Sequence, residues 1–441
     1  MTYTDPRMPM RARTQNRTRA ATRTPNSPST YRRLTATTTA LATTALTLVV
    51  TLPAPVANAD TGQCSFPGKK YEGRPWALGR VLLDELWKES TGKGVKVAVI
   101  DTGVDIRNPQ LTEAVDVGSG INLIPANAAD DKGNRLERGA SDGTTDVVGH
   151  GTKVAGIIAA RPAEGTGFVG LAPDATIIPI QQNDAFGNGT DETLADAIDH
   201  AVAQGADVIN ISQDTRNAVE PTTDLKRAVD VALAAEVVIV ASAGNDGLDG
   251  KVKETYPASY DGVLAVAASD RNNERAAFSQ SGEFVGIAAP GVDMVTTVPG
   301  GGHCADNGTS FSAPYVAGIA ALMKSKHGEW SQEKIVAQIQ QTAERSIPGR
   351  DRLVGWGVAD PVRALTEDGK PVEKPVAHEG VTRAEAPTPA GVYLGETAEE
   401  RNARLATYVL VGGVVLVAAI TGASVALRDS RRRARRVRGT G

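Results

Sequence analysis

The chain has 441 residues, 41% of them hydrophobic and 22% charged, which is enough apolar sequence for one large folded domain and excludes a chain that is disordered throughout. The formal net charge of −4 conceals two basic ends: residues 1–33 and 428–441 carry net charges of +7 and +6, so the body between them carries −17. An acidic body argues against a nucleic-acid partner, and basic ends beside apolar runs are instead typical of membrane topology signals.

The N-terminal segment has the parts of a secretion signal. An Arg-rich region is followed by an apolar stretch at residues 41–52, and the small residues Ala57 and Ala59 then occupy the positions that signal peptidase requires. Residues 1–59 are therefore predicted to be a signal peptide that is cleaved after Ala59. The alternative is an uncleaved N-terminal anchor, which the short, Thr-rich apolar stretch disfavours.

The predicted mature chain starts with a short arm, residues 60–74, which contains one of only two cysteines. An exported chain lies in an oxidising compartment, where an even pair of cysteines favours a disulfide, so we expect Cys64 to pair with Cys304. Two separate buried thiols or an intermolecular link are the alternatives, because sequence alone does not fix the pairing.

Residues 75–365 alternate short apolar runs with helical patterns. The runs are almost wholly apolar, as expected of strands covered on both faces, and lie at residues 95–100, 175–180, 208–212, 237–242 and 262–267. The helical patterns lie at residues 152–160, 191–204, 225–235 and 311–326. This alternation predicts an α/β fold with a largely parallel, doubly wound sheet and helices on both faces, whose chemistry collects at the carboxyl ends of the strands.

Two polar residues at this edge of the sheet are candidates for acid–base chemistry. Asp101 directly follows the first apolar run, where its carboxylate could orient an imidazole, although simple turn chemistry is the commoner role of such a residue. His150 lies between Gly149 and Gly151, and flanking glycines are expected to leave its ring accessible, as a general base requires. The stretch between the two candidates, residues 122–146, is rich in Gly, Asn, Asp and Arg and is predicted to be a surface loop.

A serine and an asparagine complete the candidate chemistry. Ser310 begins the last helical pattern, where the positive end of the helix dipole favours the negative charge that develops in acyl transfer; a helix N-cap is the alternative role. Asn245 follows the fourth apolar run, and its side-chain amide could donate to an oxyanion or simply belong to a turn.

These candidates lie in blocks of sequence that resemble the signatures of the subtilase family. The three blocks are residues 97–105, 149–152 and 308–314, and they carry Asp, His and Ser in the chain order of subtilisin. The similarity extends over about residues 75–365, so it covers the whole predicted α/β domain.

The resemblance implies a role for each candidate. Ser310 would be the nucleophile, His150 the general base and then acid, and Asp101 the group that orients His150, while Asn245 would donate to the oxyanion. Protein or peptide substrates would bind by strand addition, along residues that the resemblance assigns as Ser212, Ala243 and Gly244. The implied reaction needs no catalytic metal and no other cofactor. The resemblance leaves open structural calcium in the acid-rich loops, as in some subtilases, without assigning its ligands.

The C-terminal part predicts a tethered membrane anchor. Residues 366–404 are rich in Pro, Glu and Ala and are predicted to be a semi-extended linker. Residues 405–427 contain no charged residue and would form a helix of roughly 34 Å, which is enough to cross the hydrocarbon core. The seven Arg of residues 428–441 follow at once and are predicted to stay in the cytoplasm, which disfavours the alternative of a buried globular helix.

This layout is similar to that of the mycosins, membrane proteases associated with type VII secretion. The resemblance implies a serine endopeptidase at the cell membrane that processes exported proteins. Its implied partners are the lipid membrane and type VII secretion components, and no nucleic acid. A structural subunit of a secretion complex, for which proteolysis is dispensable, is the alternative.

Overall fold

The computed structural model describes residues 64–129, 135, 138–184, 186, 188–213, 222–251, 253–378 and 398–437, the last four by their main chain only. The predicted signal peptide, the first four residues of the arm and half of the predicted linker lie outside these residues.

A parallel sheet forms the centre of the described domain. Its strands are β1 (Lys96–Asp101), β2 (Ile121–Asn122), β3 (Thr176–Gln181), β4 (Val208–Ile211), β5 (Val238–Ser242), β6 (Leu264–Ser269) and β7 (Ile287–Pro290). They are ordered β2-β3-β1-β4-β5-β6-β7, and every neighbouring pair is parallel. A separate antiparallel hairpin is formed by β8 (Met294–Thr297) and β9 (His303–Asp306).

Helices connect and cover these strands. They are α1 (Trp76–Gly79), α2 (Leu83–Glu89), α3 (His150–Ala159), α4 (Asp191–Ala203), α5 (Thr223–Ala234), α6 (Thr309–Lys326), α7 (Gln332–Gln341), α8 (Pro361–Thr366) and α9 (Ala398–Val437).

Both faces of the sheet are covered by helices, as predicted. On β1, Val97 and Val99 pack into a core shared with α3 and α6, whereas Ala98 and Ile100 pack into a core shared with α4 and α5. Successive side chains of a strand point to opposite faces, so a wholly apolar run is what a strand buried on both sides requires. The doubly wound α/β fold predicted from the apolar runs is therefore confirmed.

The strands and helices predicted within residues 75–365 agree with the structure to within two residues at each end. The apolar runs and helical patterns of the sequence did not predict β2, β7, the β8–β9 hairpin or the helices α1, α2, α7 and α8. Strand β2 is only two residues long, and the hairpin strands mix polar and apolar residues around the turn at residues 300–302. Such short elements carry too little periodicity to be distinguished from loops.

The prediction that residues 122–146 form a surface loop is wrong at both ends of the segment. Asn122 lies in β2, and its side-chain amide donates to Gln181 Oε1 at 2.6 Å. Thr144 and Asp146 are buried as well. The polar composition of this segment therefore also reflects hydrogen bonds made inside the protein.

The C-terminal helix is longer than the apolar segment predicted from the sequence. Helix α9 begins at Ala398, so residues 398–404 of the predicted linker are helical. At the other end of the linker, His378 N donates to the Pro348 carbonyl at 2.9 Å, and Asp368 pairs with Lys326 at 2.7 Å. By length and composition α9 could span a membrane.

Candidate active site

Asp101 and His150 form a hydrogen-bonded pair at the carboxyl end of the central strand. Asp101 is the last residue of β1 and is 2% exposed, and His150 is the first residue of α3 with a side chain that is 28% exposed. His150 Nδ1 lies 2.7 Å from Asp101 Oδ1 and 3.0 Å from Oδ2. A carboxylate only accepts hydrogen bonds, so Nδ1 carries the proton and the neutral ring keeps Nε2 as a base.

The two glycines beside His150 serve close packing. A Cβ built on Gly151 would lie 2.1 Å from the carbonyl oxygen of Gly103, so only glycine lets the start of α3 approach the end of β1 this closely. Gly149 adopts a left-handed conformation with φ of +84°, and a Cβ there would lie 2.3 Å from the ring of Phe66. The expectation that both glycines leave the ring accessible is therefore incomplete, because both are also needed for close packing against Gly103 and Phe66.

A second buried carboxylate, Asp146, accepts hydrogen bonds from residues next to the Asp101–His150 pair. Its Oδ1 accepts hydrogen bonds from Thr102 Oγ1 at 2.9 Å and from Gly149 N at 2.7 Å. Its Oδ2 accepts from Thr152 N at 2.9 Å and from Thr152 Oγ1 at 2.7 Å. Thr102 Oγ1 in turn accepts from Gly151 N at 2.9 Å. Asp146 therefore ties the residue after Asp101 to the residues on both sides of His150.

The charges around His150 set its protonation. Burial lowers the pKa of His150, but the charge of Asp101, its hydrogen bond and the charge of Asp146 outweigh burial, so the pKa lies above the ordinary value for histidine. Burial raises the pKa of Asp146 to about 6, although the hydrogen bonds from Thr152 and Gly149 oppose the rise. Asp146 therefore changes charge near pH 6, and His150 changes charge above the ordinary histidine pKa.

Ser310 lies at the start of α6, the helix whose first turn contacts His150. It is the second residue of the helix and is half-buried, so its hydroxyl is near the positive end of the helix dipole. The ring of the next residue, Phe311, lies 5.5 Å from the His150 ring between centroids. The beginnings of α3 and α6 therefore meet through His150 and Phe311, and Ser310 is the residue before Phe311. A hydrogen bond between Ser310 and His150 stays a prediction.

Asn245 is fixed to the same helix start. Its Oδ1 accepts hydrogen bonds from Thr309 N at 2.9 Å and from Thr309 Oγ1 at 3.0 Å. Asn245 is itself exposed, and with Oδ1 occupied, its Nδ2 group faces away from Thr309. A donor held in this way suits an oxyanion, because its position is fixed before the reaction begins. Thr309, which was not among the residues singled out from the sequence, therefore fixes the orientation of the Asn245 amide.

The residues predicted to bind substrate follow strands β4 and β5. Ser212 is buried, and its Oγ accepts from Asn210 Nδ2 at 2.8 Å. The Ala243 carbonyl accepts from Thr255 Oγ1 at 3.0 Å, and Gly244 N donates to Thr309 Oγ1 at 3.3 Å. The last two main-chain groups are therefore already engaged within the protein, and a substrate role for these residues stays a prediction.

The predicted disulfide between Cys64 and Cys304 is present. Cys304 lies in β9, so the bond joins the arm to the hairpin that leads into Ser310. In the described part of the chain, no group of three or more His, Cys, Asp or Glu side chains is placed to hold a metal ion.

Comparison with known proteins identifies the family. A model of the subtilase family matches residues 92–357. Subtilisin E of Bacillus subtilis (strain 168) is 36% identical over 271 residues, and the match spans 61% of this chain and 66% of the length of that protein.

Solved structures are similar over a larger share of the chain. The structure of MycP3 protease from the type VII (ESX-3) secretion system is 32% identical, with a TM-score of 0.58, and the match covers 69% of this chain and 91% of that one. MycP1 from Mycobacterium smegmatis is also 32% identical, with a TM-score of 0.59, and the match covers 73% of this chain and 91% of that one. Since the family model covers more than half of the sequence, this chain belongs to the subtilase family of serine proteases.

Proposed function

We propose that this chain is a serine endopeptidase that hydrolyses peptide bonds through an acyl-enzyme on Ser310. The observation that carries the proposal is the Asp101–His150 pair, held at 2.7 Å beside the start of the helix that bears Ser310. With Nδ1 engaged by Asp101, His150 Nε2 accepts the proton of the Ser310 hydroxyl as its oxygen attacks the scissile carbonyl. His150 then donates that proton to the leaving amine, and the same base activates the water that releases the acyl group.

The negative charge that develops on the carbonyl oxygen needs donors that are already in position. The Nδ2 group of Asn245 supplies one, because Thr309 fixes the other end of the amide. The positive end of the α6 dipole favours the same charge. Removing one such donor costs about 3 kcal/mol of transition-state stabilisation in subtilisin, where it has been measured.

The cellular role that we propose is that of a mycosin at the cell membrane. The similarity to MycP3 from a type VII secretion system supports it, together with a C-terminal helix that could span a membrane and ends in an Arg-rich segment. In this proposal the catalytic domain faces outward, the Arg-rich tail lies in the cytoplasm, and the enzyme processes exported proteins. Secretion-complex components are its proposed partners.

The proposed division of the chain follows the same topology. The segments are a signal peptide at 1–59, an arm at 60–74, a catalytic domain at 75–365, a linker at 366–404, a membrane helix at 405–427 and a basic cytoplasmic tail at 428–441.

Substitution of the triad tests the reaction. Ser310→Ala and His150→Ala should each lower peptidase activity by several orders of magnitude, and the double variant should lose little more, because the residues act as a unit; the corresponding loss in subtilisin is on the order of 10⁶-fold. The measurement is peptide hydrolysis by the purified chain, with thermal unfolding as the control for folding. Near-normal turnover in either single variant would contradict the mechanism.

A further inference from the structure

The N-terminal arm is fixed to the hairpin that leads to the catalytic serine. The disulfide joins Cys64 to Cys304 in β9. Five residues further along the arm, the Lys69 carbonyl accepts a hydrogen bond from His303 N at 2.9 Å, in an antiparallel bridge. The arm therefore extends the edge of the hairpin, and its position is set by covalent and main-chain bonds.

The side chain of His303 adds a third attachment. Its Nδ1 accepts from Tyr71 N at 3.0 Å, and its Nε2 lies 2.8 Å from Gln110 Oε1. Burial and the charge of Lys70 lower the pKa of His303 to about 4, so the ring is neutral near pH 7. A neutral ring with one acceptor and one donor nitrogen fits both contacts. The arm is thus held along its length.

This attachment places an aromatic side chain next to the catalytic histidine. The ring of Phe66 lies against Gly149, the residue before His150, so closely that a Cβ on Gly149 would be 2.3 Å from the ring carbon Cζ. On the same side, such a Cβ would be 3.1 Å from Pro299 Cδ. Phe66 nevertheless remains 39% exposed. It therefore presents apolar surface to solvent next to the residue that precedes His150.

We propose that Phe66 forms a wall of a substrate subsite beside His150, so that the arm determines specificity for peptides with a large apolar side chain within two residues of the scissile bond. This inference rests on the proposed peptidase function. A peptide whose scissile carbonyl reaches Ser310 must pass the His150 ring, which protonates its leaving group. A neighbouring substrate side chain then lies near the exposed part of Phe66, and burial of apolar surface between them favours binding.

The arm offers a matched control for this residue. Tyr71 is an aromatic residue of the same arm and is 41% exposed, close to the value for Phe66. Its ring lies near Gly73, another residue of the arm, and its contact with His303 uses the main chain, which a side-chain substitution leaves in place. Phe66→Ala and Tyr71→Ala therefore remove similar amounts of exposed aromatic surface, and only Phe66 lies against Gly149.

The experiment profiles cleavage of a peptide library by the full chain in detergent. The library randomises the two positions on each side of the scissile bond, and the concentration of active enzyme is set by titration with a fluorophosphonate. Phe66→Ala should lose about tenfold in kcat/KM for peptides with a large apolar residue at one of these positions, which corresponds to about 1.4 kcal/mol. Phe66→Leu should retain most of the preference, and Tyr71→Ala should match the wild type.

The two proposals fail in different ways. Absence of fluorophosphonate labelling would contradict the peptidase function itself. A uniform loss of activity at all positions in Phe66→Ala, an unchanged profile, or no apolar preference in the wild type would overturn the role of Phe66. Normal labelling with no cleavage of any library member would also overturn it, since an open apolar subsite should accept some of these peptides.

Discussion

Asp146 links the two halves of the Asp101–His150 pair, although no signature block contains it. Its two carboxylate oxygens accept hydrogen bonds from groups next to Asp101 and from groups on both sides of His150. The sequence singles out Asp101, His150 and Ser310 as candidates because each lies in a distinctive sequence block. Asp146 could not be singled out in this way, because it lies in a polar stretch whose composition matches that of a surface loop, and only the tertiary structure buries it.

The pH dependence of activity tests the charges at the site. His150 must be neutral to act as a base, and Asp146 must be ionised to accept all of its hydrogen bonds. Both pKa values are raised, that of Asp146 to about 6. Acidification therefore protonates His150 and Asp146, and neither group then has the charge that activity requires. We expect log kcat/KM to fall on the acidic side from a pH above the ordinary histidine pKa, with a slope that approaches two below about pH 6.

Asp146→Asn separates the two groups. The amide cannot titrate, so the acidic slope should fall to one. The NH₂ group of the new asparagine also replaces a carboxylate oxygen that accepts hydrogen bonds, so it faces N–H or O–H donors that it cannot bind. His150 should then shift, and the plateau of kcat/KM should fall by roughly tenfold to a hundredfold. Asp351→Asn is the matched control, because Asp351 Oδ1 accepts from two main-chain amides at 2.7 Å in a turn. An acidic slope of two in Asp146→Asn would contradict the assignment of the second titrating group to Asp146.

The candidate active site is formed where one end of a strand lies near the first turns of two helices. Strand β1 supplies Asp101 at its carboxyl end, while α3 and α6 supply His150 and Ser310 at their first turns. Long apolar strands and helices of this kind could be predicted from sequence, since their periodicity is strong. The β8–β9 hairpin could not, because its strands are short and its partner, the arm, is more than 200 residues away in the chain.

The disulfide should stabilise the hairpin and the arm together. The bond closes a loop of 240 residues, for which the chain-entropy model gives about 5 kcal/mol as an upper value. The double variant Cys64→Ser, Cys304→Ser should therefore unfold at lower denaturant concentration, and reductant should destabilise the wild type but leave the variant unchanged. Peptide mapping without reductant should recover the two cysteine peptides linked. Two freely alkylated cysteines in the native protein would contradict the pairing.

At the scale of the whole molecule, we propose a catalytic domain between an export signal and a membrane anchor. The basic ends and the apolar stretches beside them predict this layout. Composition did not predict the structure at the two ends of the linker. Near its start the Glu367 carbonyl accepts a hydrogen bond from Gln338 of the domain, and its last seven residues are helical.

Proteolysis of intact cells tests the proposed topology. External protease should release a catalytic fragment by cutting between residues 378 and 398, within the Pro-rich segment between the domain and α9. The Arg-rich tail should stay protected, because the proposal places it in the cytoplasm. Mass spectrometry of the released fragment gives the site. Release that requires access from the cytoplasmic side would invert the topology.

The most direct test of the central claim is the reaction of the purified chain with a fluorophosphonate, which labels a serine only when its hydroxyl is activated as a nucleophile. Peptide mapping of the labelled protein should locate the probe on Ser310. Ser310→Ala should remain unlabelled, and His150→Ala should label far more slowly than the wild type. Equal labelling of Ser310→Ala and wild type, or a probe found on another residue, would contradict the assignment of Ser310 as the catalytic nucleophile.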